Sequence, residues 1–204
     1  GRCKGFNFQY TELVPIYDAI LFCDLGFEPS WVLTQVHFIK QACEWAGIPF
    51  HILKSDLHKD YLNDFGKKRV VSIPFWTISA DGKKGKMMRN CTLDYKITLM
   101  QNFVRWNLLG YKKGQRTKPG DLKAHEMHLG FSKEEEKRCS ENPHKMFVNK
   151  FPLCEMNLVR ADNYAYIKDV WGLETKASAC TFCPFHRNYA LFLTASQMQI
   201  FSNI

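Results

Sequence analysis

The sequence predicts an α/β protein built on a Rossmann-like, mostly parallel sheet flanked by helices, and three observations carry that prediction. Asp18-Ala-Ile-Leu-Phe-Cys23 contains a short unbroken apolar run, as expected of a strand buried on both faces. A helical pattern follows it, and a second strand-like stretch, Ile48 to Leu53, follows the helix. Strand, helix and strand at this spacing form one βαβ unit, which sets the two strands parallel.

The remaining elements follow in chain order. Asp24-Leu-Gly-Phe-Glu-Pro29 is turn-rich, and Ser30 stands where a helix N-cap belongs. Val32, Val36, Ile39, Cys43 and Ala46 then recur at 3.6-type spacing, and Gly47 closes the helix as a C′ residue. Pro49 constrains the start of the second strand. Residues 54–88 read as a mostly polar connection with a turn at Asp81-Gly82. Thr92 reads as the cap of a third helix running to about Leu109, with Leu99, Met100, Phe103, Val104 and Leu108 on one face and Gly110 after it. Residues 111–123, rich in Lys, Gly and Pro, read as an exposed, mobile loop. Glu126 to Phe131 reads as a strand, and Ser132 with Glu135 as a capping box for a short charged helix. A helix over Ala161 to Trp171 ends at Gly172, and the stretch from Phe185 is apolar enough for a terminal helix. No repeat, low-complexity tract or domain break is visible. The expectation is one domain over 1–204, with residues 172–204 as a C-terminal C-x-x-C segment packed on it.

Composition narrows the function classes. A chain of 204 residues can bury one sizeable core, and its 46% hydrophobic and 24% charged residues are those of a soluble globular protein. No apolar run approaches the ~18 residues of a membrane-spanning helix, and no signal peptide is visible at Gly1. The net charge of +8 is concentrated in Lys67-Lys-Arg69, in Lys83, Lys84, Lys86 and Arg89, and in Lys112, Lys113, Arg116 and Lys118. Such clusters suit phosphate-bearing partners, a nucleotide or a nucleic-acid backbone; the plainer alternative is solvated loops. Of the eight cysteines, six are scattered and only Cys180 and Cys183 form a C-x-x-C. In a core-forming chain that pattern indicates metal or redox chemistry in a reducing compartment, hence the cytoplasm.

Three groups of residues can do chemistry. Ser178-Ala-Cys180-Thr-Phe-Cys183-Pro-Phe-His186 offers two thiolates that can grip one metal centre. Cys91, among cations and at a helix start, is placed to favour thiolate. Cys91, Cys180 and Cys183 together can hold a cluster by three corners; alternatively His186, Cys139 or Cys154 completes a closed zinc site, or the cysteines are simply buried and reduced. Asp24, Gly26 and Glu28 follow the first strand, where parallel sheets bind ligands, although many such loops carry Asp and Gly only to turn the chain. Arg89, Thr92 and Lys96 form an anion site at a helix N-terminus or a solvated basic face, and Arg138 and Arg160 are weaker candidates of the same kind. His125, His128 and His144 stand alone and read as structural or exposed.

In this order the segments resemble a known family. Ala19-Ile-Leu-Phe-Cys-Asp-Leu-Gly-Phe-Glu-Pro29 resembles the strand and "DTG-x-E" loop of the phosphoadenosine phosphosulfate reductase-like family, of the PP-loop or adenine nucleotide alpha-hydrolase superfamily. Arg89-Asn-Cys-Thr-Leu-Asp-Tyr-Lys96 is similar to its "R-x-C-T-x-x-Y-K" helix start, and Leu129 to Arg138 to its "G-(I/R)-x-x-(D/E)-E-x-x-R" segment. Asn149-Lys-Phe-Pro-Leu153 resembles its "N-x-Y-P-L" strand, and Ser178 to His186 its cysteine motif. The matches run in family order across about residues 17–190.

The resemblance implies an adenine-nucleotide-binding enzyme, with ATP or a related nucleotide beside Asp24, Gly26, Glu28, Thr92 and Arg138. It also implies Arg89 and Lys96 by its phosphates or sulfate, and a [4Fe–4S] cluster on Cys91, Cys180 and Cys183. Zinc is the alternative, with His186 as a further ligand. The family's chemistries imply sulfur transfer or sulfonucleotide reduction, a sulfur or electron donor, and tRNA or DNA as partners through the basic loops. Three departures qualify this. No "SGG-x-D-S" phosphate loop is present, and the 17 residues before Asp18 are fewer than the roughly 25 its strand–loop–helix needs. That unit is therefore missing from this stretch or lost, and if lost, ATP cleavage by the usual route is not expected. Leu25 stands where the family carries Thr, and no cysteine follows Cys183, so thioredoxin-linked reduction is not expected. A non-catalytic nucleic-acid- or protein-binding module with structural zinc is the alternative reading, and a Cys180–Cys183 thiol redox pair a third.

Overall fold

The computed structural model describes residues 17–64, 67, 76–86, 90–176 and 180. These mix helices with short strand pairs and gather in two compact units. The first takes the described residues through Phe103, with Cys180; the second begins at Val104. No helix among the described residues is long and apolar enough to cross a membrane.

In the first unit, β1 (Ile20–Asp24) and β2 (Phe50–Lys54) pair in parallel, from Ile20 opposite Phe50 to Asp24 opposite Lys54. Between them runs α1 (Ser30–Ala46), so the expected βαβ unit is present. Its cap is Pro29 rather than Ser30, and Pro29 carbonyl oxygen accepts from Val32 N–H. A proline is stereochemically suited to this entry because its φ is already near −65°. Val32, Val36 and Cys43 form the buried stripe, whereas Ile39, expected on that face, is 43% exposed. Gly47 ends the helix at φ 71°, with its N–H bonding Glu44 carbonyl while Ile48 N–H reaches Cys43 carbonyl. This paired closure needs a left-handed residue, which glycine supplies without steric cost.

The polar connection of 54–88 contains more structure than its composition announced. Helix α2 spans Leu57–Asp64, with Leu57 buried against Leu25, and β3 (Trp76–Ile78) pairs antiparallel with β4 (Lys84–Lys86) around the Asp81-Gly82 turn. Leu57 helps dock this polar helix: burying it contributes roughly 1.5–3 kcal/mol. The next helical stretch begins at Cys91, not after Thr92. Asn90 carbonyl accepts from Asp94 N–H, and Thr92 already has helical φ and ψ and makes no side-chain cap. Asn90 is the better N-cap type, so the first turn starts earlier. The stretch widens over Leu93–Ile97, where Thr98 N–H bonds Leu93 five residues back, and continues as α3 (Thr98–Phe103).

The second unit opens with another wide turn, Val104–Leu108, and Gly110 follows at φ 69°. Its parallel strands are β5 (His125–His128) and β6 (Phe147–Lys150), so the strand expected through Phe131 stops three residues earlier. Tyr111, Met146 and Phe147 form its core with Val104, Trp106, Leu109 and Met127. The loop expected to be mobile, 111–123, is pinned by Tyr111. The Tyr111 hydroxyl donates to Asp121 and accepts from Lys118 N–H, and Arg105 and Lys118 lie 5.5 and 5.4 Å from the ring centroid.

The charged segment Lys133–Arg138 is a 3-10 turn in which Ser132 makes no side-chain cap, so the expected capping box does not form. Glu135 accepts from the Ser132 hydroxyl at 3.5 Å and pairs with Arg138 and Arg160. Helices α4 (Pro152–Glu155) and α5 (Arg160–Trp171) complete the unit, and Gly172 closes α5 at φ 63°. Glu134 accepts from Arg160 N–H at 3.0 and 3.1 Å, placing a carboxylate at the N-terminus of α5 where the helix dipole favours it. The terminal helix expected from Phe185 lies outside the described residues. Among the described residues the ladders are three separate two-stranded pairs.

Candidate functional site

The carboxyl end of β1 is where the first unit concentrates its chemistry. Asp24 ends the strand, and its Oδ1 accepts from Gly26 N–H at 2.8 Å; Gly26 at φ 79° takes the left-handed conformation that this tight turn requires. The turn drives Leu25 into the interior, 1% exposed, against Leu57. Tyr95 and Cys180 pack against the same pair. A residue of the C-x-x-C segment therefore joins the floor of the Asp24 loop.

Glu28, at the far end of the loop, is the least expected group of the site. Its side chain is 2% exposed, yet it carries a carboxylate. Lys96 Nζ lies 3.5 Å from Oε1, while Oε2 is buried and makes no hydrogen bond among the described residues. A buried carboxylate with one oxygen unmatched is costly unless something else donates to it. The Lys96 side chain is 31% exposed, so the pair joins a buried carboxylate to a partly solvated cation.

Two neighbouring groups set the local electrostatics. Cys23 Sγ donates to Lys96 carbonyl at 3.6 Å, and burial pushes its thiol up to about 11, against the pull of the Lys96 charge. Cys23 thus stays protonated at neutral pH and serves to hold the helix turn. Tyr95 donates to Asp60 Oδ2 at 2.9 Å across from α2; burial first, then this carboxylate, push its hydroxyl up to about 12. Tyr95 and Asp60 fasten the turn that carries Lys96. Neither was singled out as a site residue from sequence. Tyr95 had a signal, its place inside the Arg89–Lys96 segment, whereas Asp60 had none, being 35 positions away.

Of the candidates named from sequence, Asp24, Gly26, Glu28, Cys91, Thr92, Lys96 and Cys180 all belong to the first unit. Within this group the Glu28–Lys96 pair is in direct contact. Cys91 and Cys180 are half-buried thiols. Arg89, Cys183 and His186 lie outside the described residues, and among the described residues no three Cys, His, Asp or Glu side chains gather as a metal site. Arg138 belongs to the second unit, where it pairs with Glu135 and its guanidinium lies 4.4 Å from the Phe131 ring centroid. Cys139 and Cys154, the other possible ligands, lie in that unit with their sulfurs 3.6 Å apart.

The isolated histidines take local roles. His128 meets Glu126 at 2.9 Å, His125 lies 3.9 Å from Asp121, and His144 Nδ1 accepts from Met146 N–H at 3.2 Å. Comparison with known proteins finds no matching family model, no matching curated protein and no matching solved structure.

Proposed function

We propose that this chain is an adenine-nucleotide-binding enzyme of the phosphoadenosine phosphosulfate reductase-like family, acting in sulfur transfer or sulfonucleotide chemistry on a Rossmann-like framework in the cytoplasm. The observation that carries the reading is the Glu28–Lys96 pair beside the Asp24-Gly26 turn. A buried carboxylate holds an ammonium at the carboxyl end of a parallel strand, where α/β folds receive ligands. In this reading Asp24 accepts hydrogen bonds from the ribose hydroxyls, and the Gly26 turn lets backbone approach the nucleotide. Lys96, held by Glu28, and Arg89 neutralise phosphate or sulfate oxygens, with Thr92 at the same helix start.

The donor chemistry of the cysteines suits a [4Fe–4S] cluster: Cys91 and Cys180 are half-buried thiols of the unit that carries the Asp24 loop, and Cys183 would be the third thiolate. When bound, such a cluster supplies a site for electron or sulfur handling. The chain's residues would ligate it and bring the nucleotide's charged end near Lys96. A sulfur or electron donor, and tRNA or DNA meeting the basic loops, are the partners that go with this chemistry.

Anaerobically purified protein is expected to contain about four irons and four labile sulfides per chain, lost in Cys91→Ala, and to bind ATP or AMP with an affinity that falls about 10-fold or more in Lys96→Met. About one zinc, no sulfide and no nucleotide binding would overturn the reading. Nucleic-acid binding that weakens steeply with salt would then favour the binding module with structural zinc.

A further inference from the structure

The second unit contains a pair of thiols in contact that the proposed nucleotide chemistry does not use. Cys139 follows the Lys133–Arg138 turn, and Cys154 lies in α4, fifteen positions later. Their sulfurs are 3.6 Å apart. We propose that Cys139 and Cys154 form a reversible intramolecular disulfide, a redox modification site whose oxidant is a hydroperoxide.

Three features of the surroundings carry this beyond proximity. The segment between the two cysteines is already tied together: Asn142 Nδ2 donates to Asn149 Oδ1 at 2.8 Å, and Asn149 Nδ2 donates to Ser140 carbonyl at 2.9 Å. The chain ends bearing the thiols are thus held together before any covalent bond exists. Closing the sulfur separation to the ~2.05 Å of a disulfide then starts from two sulfurs already in contact.

Second, the two sulfurs differ in access. Cys154 is buried, 7% exposed, whereas Cys139 is only half-buried, so an oxidant from solvent meets Cys139 first. Third, the buried thiol is oriented. Cys154 Sγ lies 3.0 Å from Phe131 carbonyl and 3.3 Å from Ser132 carbonyl, which take its S–H proton. A sulfur lone pair is then left for Cys139.

The chemistry balances as two steps. Cys139, as thiolate, attacks one oxygen of hydrogen peroxide; the S–O bond forms, the O–O bond breaks, and the leaving hydroxide takes a proton to become water. Cys154 sulfur then attacks the sulfenic sulfur; the S–S bond forms, the S–O bond breaks, and hydroxide leaves with the Cys154 proton as a second water. The two thiols lose two electrons and the peroxide gains them. A dithiol such as dithiothreitol returns both electrons and restores the pair.

The test uses the full chain, reduced, freed of reductant, treated with a small excess of hydrogen peroxide and blocked with a maleimide. Trypsin places the cysteines on separate peptides, Cys139–Lys145 and Phe151–Arg160. A cross-linked pair of these peptides, lighter by two hydrogens than their sum and split by dithiothreitol, is the expected result. In Cys154→Ser, dimedone should label Cys139 as a sulfenic acid several-fold more than in the unaltered chain. Maleimide on both cysteines of the peroxide-treated chain would overturn the proposal, as would either cysteine pairing with a different one. Both outcomes are read on the native sequence, so they stand even if the variant fails to fold.

Discussion

The two units each contain a pair of parallel strands, and they differ in what closes the carboxyl end. At β5 and β6 the charges complete one another: Glu126 receives His128 at 2.9 Å and Lys150 at 3.7 Å, and its carboxyl is held below the usual range by them, His128 first. At β1 the charges are incomplete. Glu28 is buried with one oxygen matched by Lys96 and the other by no described group. The difference teaches where to look for a ligand: a satisfied strand end is architecture, whereas a buried and half-satisfied one has capacity left for a partner.

The largest effect should come from the packing beneath that site. Leu57→Ala removes a side chain 1% exposed and is expected to cost about 2–5 kcal/mol in denaturant unfolding. Hydrogen exchange should accelerate in the first unit and leave β5 and β6 protected. Acceleration in both would show that the units unfold together.

Next comes the contrast between the ion pairs. Lys96→Met strands the buried Glu28 carboxylate and should cost about 2–4 kcal/mol, with the double variant Glu28→Gln, Lys96→Met regaining much of that. Arg138→Met breaks an exposed pair with Glu135 and should cost under about 1 kcal/mol. Equal costs for the two single variants would erase the distinction between the strand ends.

Removing the Tyr95 hydroxyl should matter less. Tyr95→Phe keeps the ring against Leu25 and Leu57 but deprives Asp60 of its donor, at about 1 kcal/mol by thermal or denaturant unfolding. Nucleotide affinity measured on the same variant tells whether the turn carrying Lys96 has shifted.

The smallest effect concerns pH. Burial first, then the Arg105 charge, hold His144 below its ordinary value. The unfolded chain therefore takes up a proton before the folded one does. Stability should be full above about pH 6.5 and decline as acid takes the solution through that value toward the lower folded pKa. His144→Asn, which keeps an acceptor near Met146 N–H, should flatten this part of the pH profile; an unchanged profile would remove His144 from the account.

What the sequence by itself determined was local. The run before Cys23, the 3.6-residue pattern after Ser30 and the glycines at 47 and 172 announced β1, α1 and two helix ends, because apolar periodicity and left-handed backbone are properties of neighbouring residues. Asp24 and Gly26 were legible as a turn for the same reason. Local signals misplaced the starts at Ser30 and Thr92, since the carbonyls of Pro29, one residue earlier, and Asn90, two residues earlier, took the first helical bonds.

The rest was decided only by the tertiary structure. The boundary at Phe103 falls inside a helical stretch, with no change of composition to mark it. Glu28 meets Lys96 across 68 positions, Asp60 meets Tyr95 across 35, and Cys139 meets Cys154 across 15, with two asparagines tying the intervening chain. Each depends on which surfaces pack, and burial turns a commonplace glutamate, lysine or cysteine into a group whose charge or sulfur has to be accounted for.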